Sequence, residues 1–243
     1  MLLKGILPIH LLLFFPFFLL AISYYRFHYD LEPSFDLETG FERTYSAVRL
    51  IEAQAFINAS ATKPFRRTAS SSPFLCIGML TLARPSGDVY FRDAIASLLA
   101  GLTQEERDEL YVIPFVTHTD PKEHPAYGEA WLDNVVDGML TYSTSKILTT
   151  KELNHIKDLE AERKKTEQPD REKHLFDYSL LMKTCAAEKA SYIAMFEDDI
   201  LALDGWYHRT KSGLQEIERV NKGKGVADCE TFLVSIQTTS VKF

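Results

Sequence analysis

The stretch Ser191-Tyr192-Ile193-Ala194-Met195-Phe196-Glu197-Asp198-Asp199-Ile200 decides how this chain is read. Apolar and aromatic residues run without interruption into three consecutive carboxylates. A helical pattern precedes them, so the stretch predicts a buried strand of an α/β sheet that ends in acids. Strand geometry sends alternate side chains to opposite faces, which puts Glu197 and Asp199 together and turns Asp198 away. Open α/β sheets place their ligands at the carboxyl ends of strands. Buried carboxylates are costly unless paired, so an acid-x-acid pair at such a place calls for a cation. A hard divalent ion, held by one or two carboxylates and completed by phosphate oxygens and water, suits it. A solvated acidic turn is the alternative, and the stretch alone leaves both open.

Outward from this stretch, strand and helix signals alternate. Glu172 to Lys189 reads as an amphipathic helix with Leu175, Tyr178, Leu181, Met182 and Cys185 on one side. Phe74 to Leu82 has the continuous apolar character of a first buried strand, and Arg84-Pro85-Ser86-Gly87 ends it. Asp88 is placed to cap a helix through Ala100, and Thr103-Gln104-Glu105-Glu106 opens a short one with a capping-box pattern. Leu110 to Thr117 predicts a second strand and Val135 to Tyr142 a third. Lys151 to Lys165 is a helix dense in alternating charge, and Pro169 breaks it. Beyond the acids, Asp204 or Gly205 starts a helix through Val220, and Thr231 to Gln237 reads as a last strand. The class is α/β, with a mostly parallel sheet and flanking helices.

The 243 residues carry a net charge of -7, which argues against a nucleic-acid partner. Cys76, Cys185 and Cys229 allow at most one internal disulfide, and the first two read simply as small buried residues. The apolar run from Gly5 to Ile22 falls just short of the about 20 residues of a membrane helix and is longer than most cleavable signals. With Tyr24-Tyr25-Arg26-Phe27-His28 at its end it reads as an uncleaved signal anchor, residues 1–26. Residues 27–73 read as a stem: an amphipathic stretch from Glu42 to Ile57, then a flexible linker from Ser60 to Ser72. The folded domain then spans residues 74–243. The sequon Asn58-Ala59-Ser60 fits a lumenal body.

Four features converge on a nucleotide-sugar site. Glu197 and Asp199 are the candidate metal ligands; a metal there would neutralise charge on a departing diphosphate. The turn from Thr81 to Asp88 is placed to receive a nucleotide, with Arg84 either a phosphate contact or an ordinary surface arginine. Lys173, His174 and Asp177 open the helix feeding the acidic strand, facing either the same crevice or solvent. Trp206 is either a sugar platform or a core aromatic, and His208 either a third ligand or structural. There is no Gly-x-Ser-x-Gly, Gly-x-Gly-x-x-Gly, Walker loop, His-Glu-x-x-His, EF-hand ladder or zinc spacing.

The blocks Leu75-Cys76-Ile77-Gly78-Met79-Leu80-Thr81, Tyr90 to Leu98, and Phe176-Asp177-Tyr178-Ser179-Leu180-Leu181-Met182 through Phe196-Glu197-Asp198-Asp199-Ile200 carry a resemblance. The chain resembles Golgi glycosyltransferases of GT-A fold grouped with N-acetylglucosaminyltransferase IV. It is more similar to fungal relatives of the GPI-anchor side-chain N-acetylgalactosaminyltransferase, the post-GPI-attachment factor. The resemblance implies a UDP-N-acetylhexosamine donor, GalNAc in the second branch, manganese or magnesium, and a glycan or GPI glycolipid acceptor at the Golgi membrane with the catalytic body lumenal. It implies Asp199 as direct metal ligand and Glu197 as a metal or ribose contact; Thr81, Arg84 and Asp177 are expected at the donor from the residue pattern itself. It also implies further membrane helices and more catalytic domain beyond the acids, so residues 74–243 are expected to be a donor half with little transfer activity. Rival expectations are an N-acetylglucosaminyltransferase IV-like enzyme acting on N-glycans, an inert membrane-anchored UDP- or metal-binding relative, and a metal-dependent phosphohydrolase.

Overall fold

A computed structural model describes residues 16–21, 46–84, 86–166 and 171–222 of the chain. Its elements follow in the order α1 (Ala47–Ser60), β1 (Leu75–Thr81), α2 (Phe91–Leu99), α3 (Gln104–Asp108), β2 (Leu110–Val116), a 3-10 turn (Pro121–Glu123), α4 (Ala130–Asp133), α5 (Thr150–Thr166), α6 (Arg171–Ala187), β3 (Tyr192–Glu197) and α7 (Trp206–Lys222). The three strands form one parallel sheet in the order β2-β1-β3, with Leu75 opposite both Leu110 and Tyr192. The expected α/β class, a parallel sheet flanked by helices, is what the chain forms.

β1 is central, and all seven of its residues are buried, as parallel strands covered on both faces require. Leu75, Ile77 and Met79 point into a core shared with Phe91, Ile95 and Leu98 of α2 and with Trp206 and Tyr207 of α7. Cys76 and Leu80 point to the other face, against Leu180, Leu181 and Cys185 of α6 and Ile156 of α5. Gly78 makes this second packing possible. A Cβ there would stand 2.9 Å from Met195 Sδ and 3.0 Å from Leu181 Cγ, so any side chain would push β3 and α6 away.

Several sequence expectations are corrected. Cys76 and Cys185 are not merely small core residues: they form a disulfide that ties β1 to α6, with Cα atoms 5.7 Å apart. β3 is an edge strand among the described residues rather than a buried one; only Phe196 is fully buried and Ile193 is 36% exposed. Residues 135–142 make a single bridge, Leu140 to Phe115, instead of a strand. There the Asp137 carboxylate, not a ladder carbonyl, accepts the Val112 amide at 2.7 Å and the Arg107 guanidinium at 2.9 Å. On α6 the buried stripe is Lys173, Asp177, Leu180, Leu181 and Cys185, while Leu175 and Met182 are exposed. Asp88 does not cap α2; it accepts from Ser86 Oγ, and the helix begins at Phe91. The capping box of α3, Thr103 with Glu106, is present as read.

The described part of the expected stem lies against the body. Arg49 of α1 is buried and donates to the carbonyls of Ala202 and Ser97, each at 2.8 Å. Further on, Phe65 N–H donates to Asn134 O at 2.9 Å, and Thr68 N–H to Asp108 Oδ1 at 2.7 Å. Buried Arg107 reaches back to Phe65 O at 3.1 Å. The expected anchor lies outside the described residues except for residues 16–21, which are helical and exposed. Among the described residues no helix is long and apolar enough to cross a membrane. The expected last strand, residues 231–237, also lies outside them.

Candidate functional site: a cleft at the carboxyl ends of the strands

The chain leaves β1 for β2 on one side and later returns to place β3 on the other, so the order reverses at β1. Such a switch point opens a crevice beyond the carboxyl ends of the strands. A cleft of about 520 Å³ occupies that end of the sheet. Its floor is the end of β1 and the turn after it, from Leu80 to Arg84, with Thr117 after β2 and Glu197 and Asp198 at the end of β3. α6 precedes β3, so its first two turns sit at this end and contribute Arg171, Lys173, His174 and Asp177; Arg163 comes from the end of α5.

Asp198 is the hub of one network. Thr81 Oγ1 donates to its Oδ2 at 2.6 Å. Arg84 donates through Nη2 to Oδ1 at 2.6 Å and through Nη1 to Oδ2 at 3.2 Å. The Thr81 hydroxyl, its one hydrogen engaged, accepts from His124 Nε2 at 2.8 Å, and His124 Nδ1 accepts the Ala126 amide at 3.2 Å. Both contacts require the neutral Nε2–H tautomer. Burial agrees, holding the imidazole down at about 4, with nearby His118 adding to the effect.

A second network lies under the first two turns of α6. Lys173 Nζ donates to Asp177 Oδ2 at 2.8 Å, to the Tyr142 hydroxyl at 2.7 Å and to Thr117 O at 2.9 Å. The Tyr142 hydroxyl in turn donates to Asp177 Oδ1. Burial pushes both the Asp177 carboxyl and the Tyr142 phenol upward; Lys173 opposes the first and the Asp177 charge reinforces the second. Helix spacing of i and i+4 puts Lys173 and Asp177 on one face, and this face carries the core stripe.

Thr81, Arg84, Asp177 and Glu197, all selected from sequence, therefore line one cleft; Asp199 is not among its lining residues. Strand alternation stops at Glu197, and Asp198 and Asp199 fall in a turn, so Asp198 swings inward to Arg84 instead of pointing away. Glu197 is exposed and has no hydrogen-bond or ion-pair partner among the described residues. Asp199 is half-buried and raises the Arg84 affinity for its proton through space. Trp206 is core: it is 7% exposed and its Nε1 donates to Leu98 O at 2.9 Å. His208 lies on the exposed side of α7.

Sequence reading passed over His118, Glu123 and Glu160, whose ligand atoms lie within 4.8 Å of one another. His118 Nδ1 stands 3.4 Å from Glu123 and 3.5 Å from Glu160. The set could hold a metal ion only if His118 released its Nδ1 hydrogen. The Ala83 amide donates to His118 Nε2 at 2.9 Å, so the Nε2 lone pair is engaged and neutral imidazole carries its hydrogen on Nδ1. Nδ1 makes no hydrogen bond to either carboxylate, and Glu160 Oε1 is likewise a buried atom without a hydrogen-bond partner among the described residues; Lys164 pairs with Glu123 at 2.8 Å. Only long-range packing of α5 against the turn after β2 assembles this group; no local spacing announces it.

No family model, curated protein or solved structure was found to match this chain.

Proposed function

We propose that the body is the donor-binding part of a GT-A-type, metal-dependent glycosyltransferase in the Golgi lumen, held at the membrane by residues 1–26. In this reading it moves an N-acetylhexosamine, GalNAc, from a UDP-sugar to a GPI-anchor glycan. The observation that carries the reading is the cleft at the switch point of a parallel sheet, with the turn after β1 and an acid-ended β3 on the same floor. The Cys76–Cys185 disulfide supports an oxidising compartment such as the secretory pathway.

The donor set suits a hard cation that takes only one or two protein oxygens. Glu197 offers a carboxylate at the cleft, whereas Asp199, the other expected ligand, is not among the lining residues. Glu197 would hold the ion, Mn²⁺ or Mg²⁺, with Asp199 joining only if it turned toward the cleft; such an ion would neutralise charge on the leaving diphosphate. The protein's own contribution is positional. Asp198 fixes Arg84 at the floor of the cleft, Thr81 and His124 fix Asp198, and the Lys173–Asp177–Tyr142 group holds the start of α6 in place. Arg84 also lies over the Tyr90 ring, 4.8 Å from its centroid, and so presents a flat cationic face.

A second reading, an inert UDP- or metal-binding relative, draws on one specific observation. Arg84 and Asp177, both expected to face a donor, are already paired with Asp198 and Lys173. Titration of the purified chain with UDP, with and without Mn²⁺, tests the shared part: metal-dependent binding is expected, and its absence refutes both readings. Release of UDP from UDP-GalNAc in the presence of a GPI glycan then separates enzyme from inert relative.

A further inference from the structure

Among the described residues, four cations (Arg84, Arg163, Arg171, Lys173) and three carboxylates (Asp177, Glu197, Asp198) line the cleft of this net acidic chain. Two pairs cancel, Arg84 with Asp198 and Lys173 with Asp177. Glu197 remains at the end of β3, and Arg163 and Arg171 remain at the α5 and α6 ends. Neither arginine has a hydrogen-bond or ion-pair partner among the described residues. Arg163 is half-buried, and its Nε is a buried donor with no acceptor. A guanidinium donor left unsatisfied in a cleft is costly, and an anionic ligand relieves that cost. The amino end of α6, a 17-residue helix, adds positive potential at the same place, and exposed His174 lies beside it.

We infer that Arg163 and Arg171, at the α6 end of the cleft, bind a phosphate-class group of a ligand without the help of a metal. Two guanidinium forks matched to tetrahedral oxygens give such a group bidentate, charge-assisted contacts. Lys173 does not take part, because its ammonium is engaged by Asp177, Tyr142 and Thr117. The inference does not rest on the glycosyltransferase reading, since it uses neither Glu197 nor Asp199.

The test is calorimetric titration of the purified full chain with inorganic pyrophosphate in the presence of EDTA. Saturable binding is expected. It should weaken at least about tenfold in Arg163→Gln/Arg171→Gln, several-fold in Arg171→Gln alone, and less than about twofold in Glu197→Gln or in the distant control Arg219→Gln. Arg171 is exposed, so the single variant keeps the test valid if the double variant misfolds. No binding, or equal losses in Arg171→Gln and Arg219→Gln, overturns the inference. Given binding, displacement of pyrophosphate by UDP with Mn²⁺ shows that the nucleotide carries the group; simultaneous binding shows that a second phosphorylated ligand does. Failure of metal-dependent UDP binding, with pyrophosphate binding intact, defeats the proposed function and leaves this site standing.

Discussion

Arg84 and Asp198, separated by most of the folded chain, meet in a two-pronged ion pair at the floor of the cleft, with the closer contact 2.6 Å. The carboxylate is almost fully buried and the guanidinium about a quarter exposed. Asp198 also accepts from Thr81, so its loss strands two donors at once. Asp198→Ala is expected to lower stability by about 2–4 kcal/mol, and Asp199→Ala by less than about 1 kcal/mol. Urea unfolding of the two variants checks this; similar midpoints would contradict the central place given to Asp198.

Glu197 is expected to behave in the opposite way. Exposed and without a partner among the described residues, it contributes little to folding, so Glu197→Gln should change stability by no more than about 0.5 kcal/mol. Its effect should appear in Mn²⁺-dependent UDP affinity, with a loss of at least about tenfold. Unchanged affinity at unchanged stability would remove Glu197 from the proposed metal site.

The disulfide closes a loop across a sequence separation of 109 residues. Chain-entropy arguments for loops of this size give about 3–5 kcal/mol of stabilisation. Cys76→Ala/Cys185→Ala should therefore unfold at a much lower urea concentration than wild type. A thiol titration of the unreduced, denatured chain should find one reactive thiol among three cysteines. Three reactive thiols from protein made in an oxidising compartment would refute the pairing.

Acid should weaken the fold in two stages. His124 is held at about 4 against an ordinary 6.5, so the unfolded chain takes up its proton first as pH falls. The stability due to neutral His124 is complete above pH 6.5 and is lost down to about pH 4, roughly 3 kcal/mol in all. Burial works to raise Glu160, but the contacts from His118 and Thr119 outweigh it and hold the carboxyl at about 2, against 4.5. Its contribution is lost between those values as pH falls further. Unfolding free energies measured from pH 8 to 4 should slope downward below 6.5, and His124→Gln should flatten the upper part of the slope. A flat wild-type curve between pH 6.5 and 4 would contradict the neutral tautomer.

Local patterns conveyed what local physics determines. The unbroken apolar run of β1, the Thr103 capping box and the helix leading into the acids could all be read directly. Contacts across long separations could not: nothing near Cys76 points to Cys185, and nothing near Arg107 points to Asp137. The α6 stripe does not show in the apolar residues alone, because two of its members, Lys173 and Asp177, are charged. Admitted to the face, positions 173, 177, 180, 181 and 185 form an unbroken helical stripe. At the site, the turn after β1 and Glu197 were accessible from spacing. The inward swing of Asp198 was not, because the strand ends one residue earlier and alternation no longer applies.

The clasp of α1 and residues 61–73 on the body has a consequence for reach. If residues 1–26 anchor the body as proposed, a free segment over residues 27–73 would let the cleft range far from that point. Arg49, Phe65 and Thr68 take the segment from residue 46 onward out of that free length. At about 3.4 Å per extended residue this removes up to about 100 Å of possible travel. Under the proposed anchoring, the shortened reach would suit acceptors presented near the attachment point and disfavour those far from it.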